Sequence, residues 1–151
     1  MADIKQSIQK WCALQERSSF EVTQKLILWN IDKKIIPQII NELRDENFLN
    51  DERFAEDYAR GKFRIKNWGK IKIKLSLQQK KVSSNYIDAA IDKIDQEEYL
   101  KSLQNLAKKK NDQITAKLTP YDRKVKLYQF LLSKGFENKL VRDVIDEIVA
   151  E

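Results

Sequence analysis

The sequence predicts an all-α fold of three tandem three-helix repeats, and three observations predict it. An apolar pattern recurs three times without a gap. It reads Leu26-x4-Ile31-x3-Ile35-Ile36-x2-Ile39-Ile40-x2-Leu43, then Leu77-x4-Val82-x3-Tyr86-Ile87-x2-Ala90-Ile91-x2-Ile94, then Leu131-x4-Phe136-x3-Leu140-Val141-x2-Val144-Ile145-x2-Ile148. The offsets are 51 residues (26 to 77) and 54 residues (77 to 131), a period at which one supersecondary unit is reused and buries its apolar face on the next. Only 3 Gly and 2 Pro occur in 151 residues, too few for the tight turns of a sandwich or barrel. Hydrophobic residues make up 42%, enough for a core. The repeats are placed at 1–47, 48–95 and 96–151.

A first helix is expected over Ile4 to Gln15, where Ile4, Ile8 and Trp11 fall on neighbouring turns. Ser18-Ser19-Phe20-Glu21 reads as a capping box, and the helix it opens runs to Trp29, with Asn30 as a left-handed cap. Asp32 is positioned to cap the third helix. Pro37 would break a hydrogen bond five residues past that cap, so the regular helix is set to begin near Ile36 with Pro37 in its first turn.

The second repeat opens on Asn50-Asp51-Glu52, an N-cap followed by two carboxylates at the positive end of a helix dipole. Trp68 to Lys80 follows as the fifth helix. Local evidence conflicts there, because Ile71-Lys72-Ile73-Lys74-Leu75-Ser76-Leu77 alternates as a strand does. The repeat places the stretch opposite two helical segments, and a lone strand has nothing to pair with, so a helix is expected. Ser83 or Ser84 caps the sixth helix. The third repeat starts near Glu97 with the stripe Leu100, Leu103, Leu106 and Ala107. Lys108 to Lys117 is polar and is expected to fray or loop. Thr119-Pro120 reads as an N-cap with Pro at the first helical position, Lys134-Gly135 as a helix stop, and Glu137 to Val149 as the last helix.

Several chemistries are excluded by composition. The chain has no His, which removes a histidine base, ligand or nucleophile partner. No Gly-rich phosphate motif occurs. The expectation is a non-enzyme with no cofactor and no metal. The longest apolar run is Leu26-Ile27-Leu28-Trp29, too short to span a bilayer. Met1 to Lys10 lacks the apolar segment of a secretory signal, and the single Cys12 fits a reducing cytoplasm as a small residue on a helix.

Charge is unevenly placed. Between Tyr58 and Ile87 lie nine basic residues and no acid: Arg60, Lys62, Arg64, Lys66, Lys70, Lys72, Lys74, Lys80 and Lys81. The whole chain is +6, so the remainder carries a net −3. A basic middle repeat attracts polyanions or an acidic protein surface, whereas an ordinary Lys-rich helix face only aids solubility. Phe63 and Trp68 fall inside the run. Exposed aromatic rings there would stack on bases; buried ones would be core. No zinc-finger, RRM or KH pattern appears.

With these segments laid out, the chain resembles the RecX family, bacterial regulators of the RecA recombinase. The resemblance rests on Arg17-Ser18-Ser19-x-Glu21 through Lys25-Leu26, on Phe48-Leu49-Asn50-Asp51-Glu52-Arg53-Phe54-Ala55-x-x-Tyr58, on Trp68-Gly69-x-x-x-Ile73, and on Phe130-Leu131-x-x-Lys134-Gly135-Phe136. It covers nearly the whole chain. The family often has Lys-Gly at the turn inside each repeat, and here the first two turns are Trp29-Asn30 and Lys80-Lys81. The resemblance implies an elongated, curved array docking along the groove of a RecA–DNA filament and limiting its growth, ATP hydrolysis and strand exchange. It implies a cytoplasmic protein, expected to be a monomer, with the RecA filament as partner and DNA contacts through the basic patch. The site residues expected on this reading are the nine basic ones with Arg53 and Trp68. Two other readings stay open: a general nucleic-acid-binding helical protein, and a helical adaptor whose basic patch is incidental.

Overall fold

The computed structural model describes residues 2–114 and 116–149. Among the described residues there are nine helices and no strand. They are α1 (Ala2–Leu14), α2 (Ser19–Leu28), α3 (Ile36–Asp45), α4 (Asp51–Arg64), α5 (Lys70–Gln79), α6 (Ser84–Asp92), α7 (Gln96–Gln113), α8 (Pro120–Ser133) and α9 (Asn138–Ile148). The chain folds as two compact units, one of Met1–Tyr58 with Ser76–Ala90, the other of Ala59–Leu75 with Ile91–Glu151.

Caps explain the boundaries. The Ser18 hydroxyl accepts from the Glu21 amide at 3.0 Å while the Glu21 carboxylate accepts from the Ser18 amide at 3.0 Å, so the capping box opens α2 as expected. Asp32 caps a turn, accepting from the Lys34 amide at 3.0 Å, and α3 starts at Ile36 with Pro37 in its first turn. Asn50 accepts from the Arg53 amide at 3.0 Å and opens α4, and Thr119 accepts from the Asp122 amide at 3.1 Å and opens α8.

The repeated Leu-x4-apolar pair has a local cause. Asn30, Lys81 and Gly135 all take positive φ (62°, 58° and 92°). The next amide reaches back to the leucine that begins each pattern: Ile31 to Leu26 at 3.1 Å, Val82 to Leu77 at 3.3 Å, Phe136 to Leu131 at 3.4 Å. The left-handed residue also donates, Asn30 to Ile27, Lys81 to Gln78 and Gly135 to Leu132. These are Schellman turns, whose two apolar flanks pack on each other. The turn is therefore kept in all three repeats although glycine stands in only one.

In the first unit, α1, α2 and α3 close on Ile8, Cys12, Val22, Leu26, Ile39 and Leu43. Cys12 is buried, and desolvation pushes its thiol pKa up, with Glu16 adding to the rise and Arg17 opposing it, which leaves it a core residue. In the second unit a row of rings runs from Phe63 to Tyr99 (centroids 5.7 Å apart) to Phe136 (5.3 Å).

Two expectations meet the structure differently. Ile71–Leu77 is helical despite its alternation, because Gly69, Ile73 and Leu77 are spaced by four and face inward, while Ile71 (47% exposed) and Leu75 (54%) face out. Apolar residues on two faces mimic the period of a strand. The expected fraying or looping of Lys108–Lys117 is corrected over Lys108–Gln113, since α7 continues through Gln113, while Ile114, Ala116 and Lys117 lie outside the helix as expected. Ala107 is buried, the Lys110 ammonium stands 4.8 Å over the Phe130 ring, and Arg123 donates to the Asn111 carbonyl and side chain at 2.9 Å. Those contacts hold the last turn. Thr115 lies outside the described residues.

Candidate nucleic-acid and partner interface

Eight of the eleven expected site residues fall in the second unit: Arg60, Lys62, Arg64, Lys66, Trp68, Lys70, Lys72 and Lys74. Arg53, Lys80 and Lys81 fall in the first. Trp68 gathers the densest group. This half-buried indole lies between α4 and α5 in sequence, with the Lys62 ammonium 5.0 Å and the Lys72 ammonium 4.7 Å from its ring. Such contacts are worth about 0.5–1 kcal/mol each at exposed sites. A ring flanked by cations can offer a face to a base and charge to a phosphate. Phe63 is buried and serves as core.

The start of α5 is fixed by an unusually close backbone approach. Gly69 donates to the Lys134 carbonyl at 2.7 Å and Ile71 to the Gly135 carbonyl at 3.0 Å. The α5 N-terminus thus satisfies the carbonyl end of α8, matching opposite ends of two helix dipoles. A Cβ on Gly69 would stand 2.3 Å from Gly135 backbone atoms, so glycine is required there.

Buried Tyr99 completes the anchor. Its hydroxyl accepts from the Lys70 amide at 2.9 Å and donates to the Glu137 carboxylate. Desolvation, then the hydrogen bond to Glu137, pushes the phenol pKa well above its usual range. The Lys70 ammonium rests 4.6 Å over the Tyr99 ring and donates to Gln96 at 3.1 Å. Tyr99 and Glu137 escaped the sequence reading. A faint signal existed, since Tyr99 stands four residues after its cap Asp95, as Phe54 does after Asn50.

The remaining cations divide by engagement. Arg53 is held by Glu16, with nitrogen–oxygen distances of 2.6 and 2.7 Å, and by Asn47 at 3.1 Å. Lys80 pairs with Glu21 at 3.1 Å, and Lys81 stands 5.9 Å over the Phe20 ring. Arg64 pairs with Glu98 at 3.2 Å on a cleft of about 380 Å3 in the second unit that Lys101 and Lys109 also line. Arg60, Arg64, Lys66, Lys74 and Lys81 are exposed. Lys70 and Lys72 are half-buried and committed to rings, so their positions serve α5 packing as well as charge. Among the described residues no group of three or more Cys, Asp or Glu could hold a metal, and no helix is long and apolar enough to cross a membrane.

Comparison with known proteins supplies a family. Two family models match, one for the second three-helix domain of RecX over residues 50–91 and one for the third over residues 96–145. The regulatory protein RecX of Clostridium botulinum (strain Eklund 17B / Type B) is 36% identical over 130 residues, covering 85% of this chain and 60% of the relative. That of Streptococcus agalactiae serotype V is 31% identical over 142 residues, covering 93% of this chain and 54% of the relative. The chain therefore spans somewhat over half the length of these curated relatives. The crystal structure of RecX from Lactobacillus salivarius superimposes with a TM-score of 0.77 at 26% identity, covering 98% of each chain. A second crystal structure, of a regulatory protein RecX, gives 0.86 at 22% identity over 96% of this chain and 71% of that one.

Proposed function

This chain belongs to the RecX family, and on that premise we propose that it is a non-catalytic regulator that binds the RecA–DNA filament and restrains it. Filament extension, ATP hydrolysis and strand exchange are the processes it lowers. The repeats assigned at 1–47, 48–95 and 96–151 supply the binding surface, and the family models at 50–91 and 96–145 support the last two of these. The protein acts in the cytoplasm as a monomer.

The observation that carries this reading is the acid-free run, in which Arg60, Lys66 and Lys74 are exposed and Lys62 and Lys72 flank the Trp68 ring. Charge of this density speeds encounter with a polyanionic filament. Arg53, Lys70, Lys72 and Lys80 support the surface through the helices they fix. A second reading, sequence-independent DNA binding, draws on the same Trp68 group.

Reversing Arg60, Lys66 and Lys74 to Glu separates the two. These three are exposed, whereas Lys70 and Lys72 would lose ring contacts on reversal. The regulator reading expects lost inhibition of RecA with the fold intact. Unchanged inhibition sinks it. Lost DNA binding by the isolated protein, with inhibition of RecA retained, transfers the patch to the second reading.

A further inference from the structure

The first unit carries a surface feature that the basic patch does not explain. Helices α2 and α3 flank a groove of about 600 Å3, within the roughly 300–1,000 Å3 span of ligand clefts. Its apolar lining comes from Phe20, Ile27, Pro37 and Ile40, and Ile27 is left 37% exposed. Three cations, Lys33, Arg44 and Lys81, stand on the same lining. The single acid there, Asp51, is consumed, because its carboxylate accepts from the Ser19 amide at 2.7 Å and the Ser19 hydroxyl at 3.0 Å. Arg44 in turn donates to that hydroxyl at 2.8 Å, which holds the guanidinium in place without neutralising it. Among the described residues no carboxylate pairs with Lys33, Arg44 or Lys81.

The equivalent positions in the other repeats differ. Shifted by the repeat offset, Ile27, Lys33, Pro37 and Asn41 become Gln78, Ser84, Asp88 and Asp92. In the third repeat Ile27, Lys33, Pro37 and Asn41 become Leu132, Asn138, Arg142 and Asp146. The floor positions Phe20 and Ile40 stay apolar in the other repeats (Ile71 and Ile91, Val125 and Ile145), but the rim positions Lys33 and Arg44 become Ser84 and Asp95, then Asn138 and Val149, so the cationic rim belongs to the first repeat.

We propose that this groove is a docking site for an acidic amphipathic helical segment of a partner protein, whose apolar side chains enter between α2 and α3 while its carboxylates meet Lys33, Arg44 and Lys81. Helices seat in such grooves through side chains spaced by three and four. Complementary charge selects an acidic segment over a basic one. The site shares Lys81 with the basic run, whereas Ile27, Lys33 and Arg44 lie outside it, so variants at those three positions probe the groove without touching the run.

The test uses the full chain and a fluorescein-labelled synthetic peptide of about 16 residues, with Leu at i, i+3, i+4 and i+7 and Glu on both flanks. A twin peptide carries Lys in place of Glu. Anisotropy is expected to show saturable binding of the acidic peptide and at least about tenfold weaker binding of the basic one, a difference of about 1.4 kcal/mol. Ile27→Glu and Lys33→Glu, both at exposed positions, are each expected to weaken the acidic peptide about tenfold with unchanged helix content. Amide shifts are expected to cluster on α2 and α3. Equal affinity for the two peptides, insensitivity to both variants, or shifts elsewhere in the chain would overturn the proposal. So would displacement of the peptide by a single-stranded oligonucleotide, or the same shifts appearing on concentrating the protein alone, which would assign the groove to nucleic acid or to a second copy.

Discussion

Replacing each of the three glycines by alanine is predicted to give opposite signs from one chemical change. Gly61 sits inside α4 with nothing within 4 Å of a Cβ, so Gly61→Ala should stabilise by about 1 kcal/mol through helix propensity alone. At Gly69 the new methyl would meet the Gly135 carbonyl carbon and oxygen at 2.3 Å and the Phe136 nitrogen at 2.4 Å, all backbone. Carbon atoms rest at about 3.5–4.0 Å, so the strands of backbone must part by about 1 Å or more. That movement stretches the bonds at 2.7 and 3.0 Å from Gly69 and Ile71 past useful length. Two lost bonds at about 1 kcal/mol each, with about 1–3 kcal/mol of overpacking strain, sum to roughly 3–5 kcal/mol. At Gly135 a Cβ would stand 2.3 Å from the Lys72 Cβ, and the φ of +92° adds strain of about 1–2 kcal/mol, so a similar loss is expected. Guanidinium unfolding followed by far-ultraviolet circular dichroism measures all three, and a drop in Tm of about 10 °C accompanies the two losses. If Gly69→Ala falls within 1 kcal/mol of the parent, or Gly61→Ala is the more damaging, the close approach of α5 and α8 is not what orders the second unit.

Other outcomes follow from single contacts. Lys81→Gly should stabilise by about 0.5–1 kcal/mol, because left-handed strain of roughly 1–2 kcal/mol is relieved and part is lost to backbone entropy; no gain in the midpoint would mean Lys81 is not strained. Ser18→Ala removes the side-chain half of the capping box and should cost about 1 kcal/mol, read as a lower denaturation midpoint with unchanged slope. Tyr99 has a raised pKa in the folded state, so its stabilising contribution is complete below about pH 10, where unfolded tyrosine begins to ionise, and falls as pH rises further. Stability measured from pH 8 to 11 should therefore decline less steeply in Tyr99→Phe, which also starts lower because the Lys70 amide loses its acceptor. An identical alkaline slope in both proteins would contradict the buried-phenol account.

The helices were legible because their ends are encoded locally. Leucine and the apolar residue five positions later are the two flanks of a Schellman turn, so Leu26/Ile31, Leu77/Val82 and Leu131/Phe136 mark helix ends even where the left-handed residue is Asn30 or Lys81. The extent of α7 was not legible, since Lys108–Gln113 is polar and is held by Phe130 and Arg123 from a later helix. The basic run was evident as composition, but its division was not. Lys70 and Lys72 turn toward Tyr99 and Trp68, and Arg53 is taken up by Glu16 at a sequence separation of 37, contacts that exist only after folding. The α2–α3 groove left no trace in any motif, because its rim joins Lys33, Arg44 and Lys81 through tertiary packing.

ATP hydrolysis by a cognate RecA on single-stranded DNA tests the central claim most directly, with this protein titrated in below the concentration at which it binds that DNA alone. Recognition of the filament predicts inhibition at substoichiometric levels, with a salt dependence shallower than DNA binding by the isolated protein, whose log–log slope is roughly −0.7 per contacted phosphate. Inhibition that appears only once the DNA is coated, and tracks that slope, would contradict it and leave competition for phosphates as the activity.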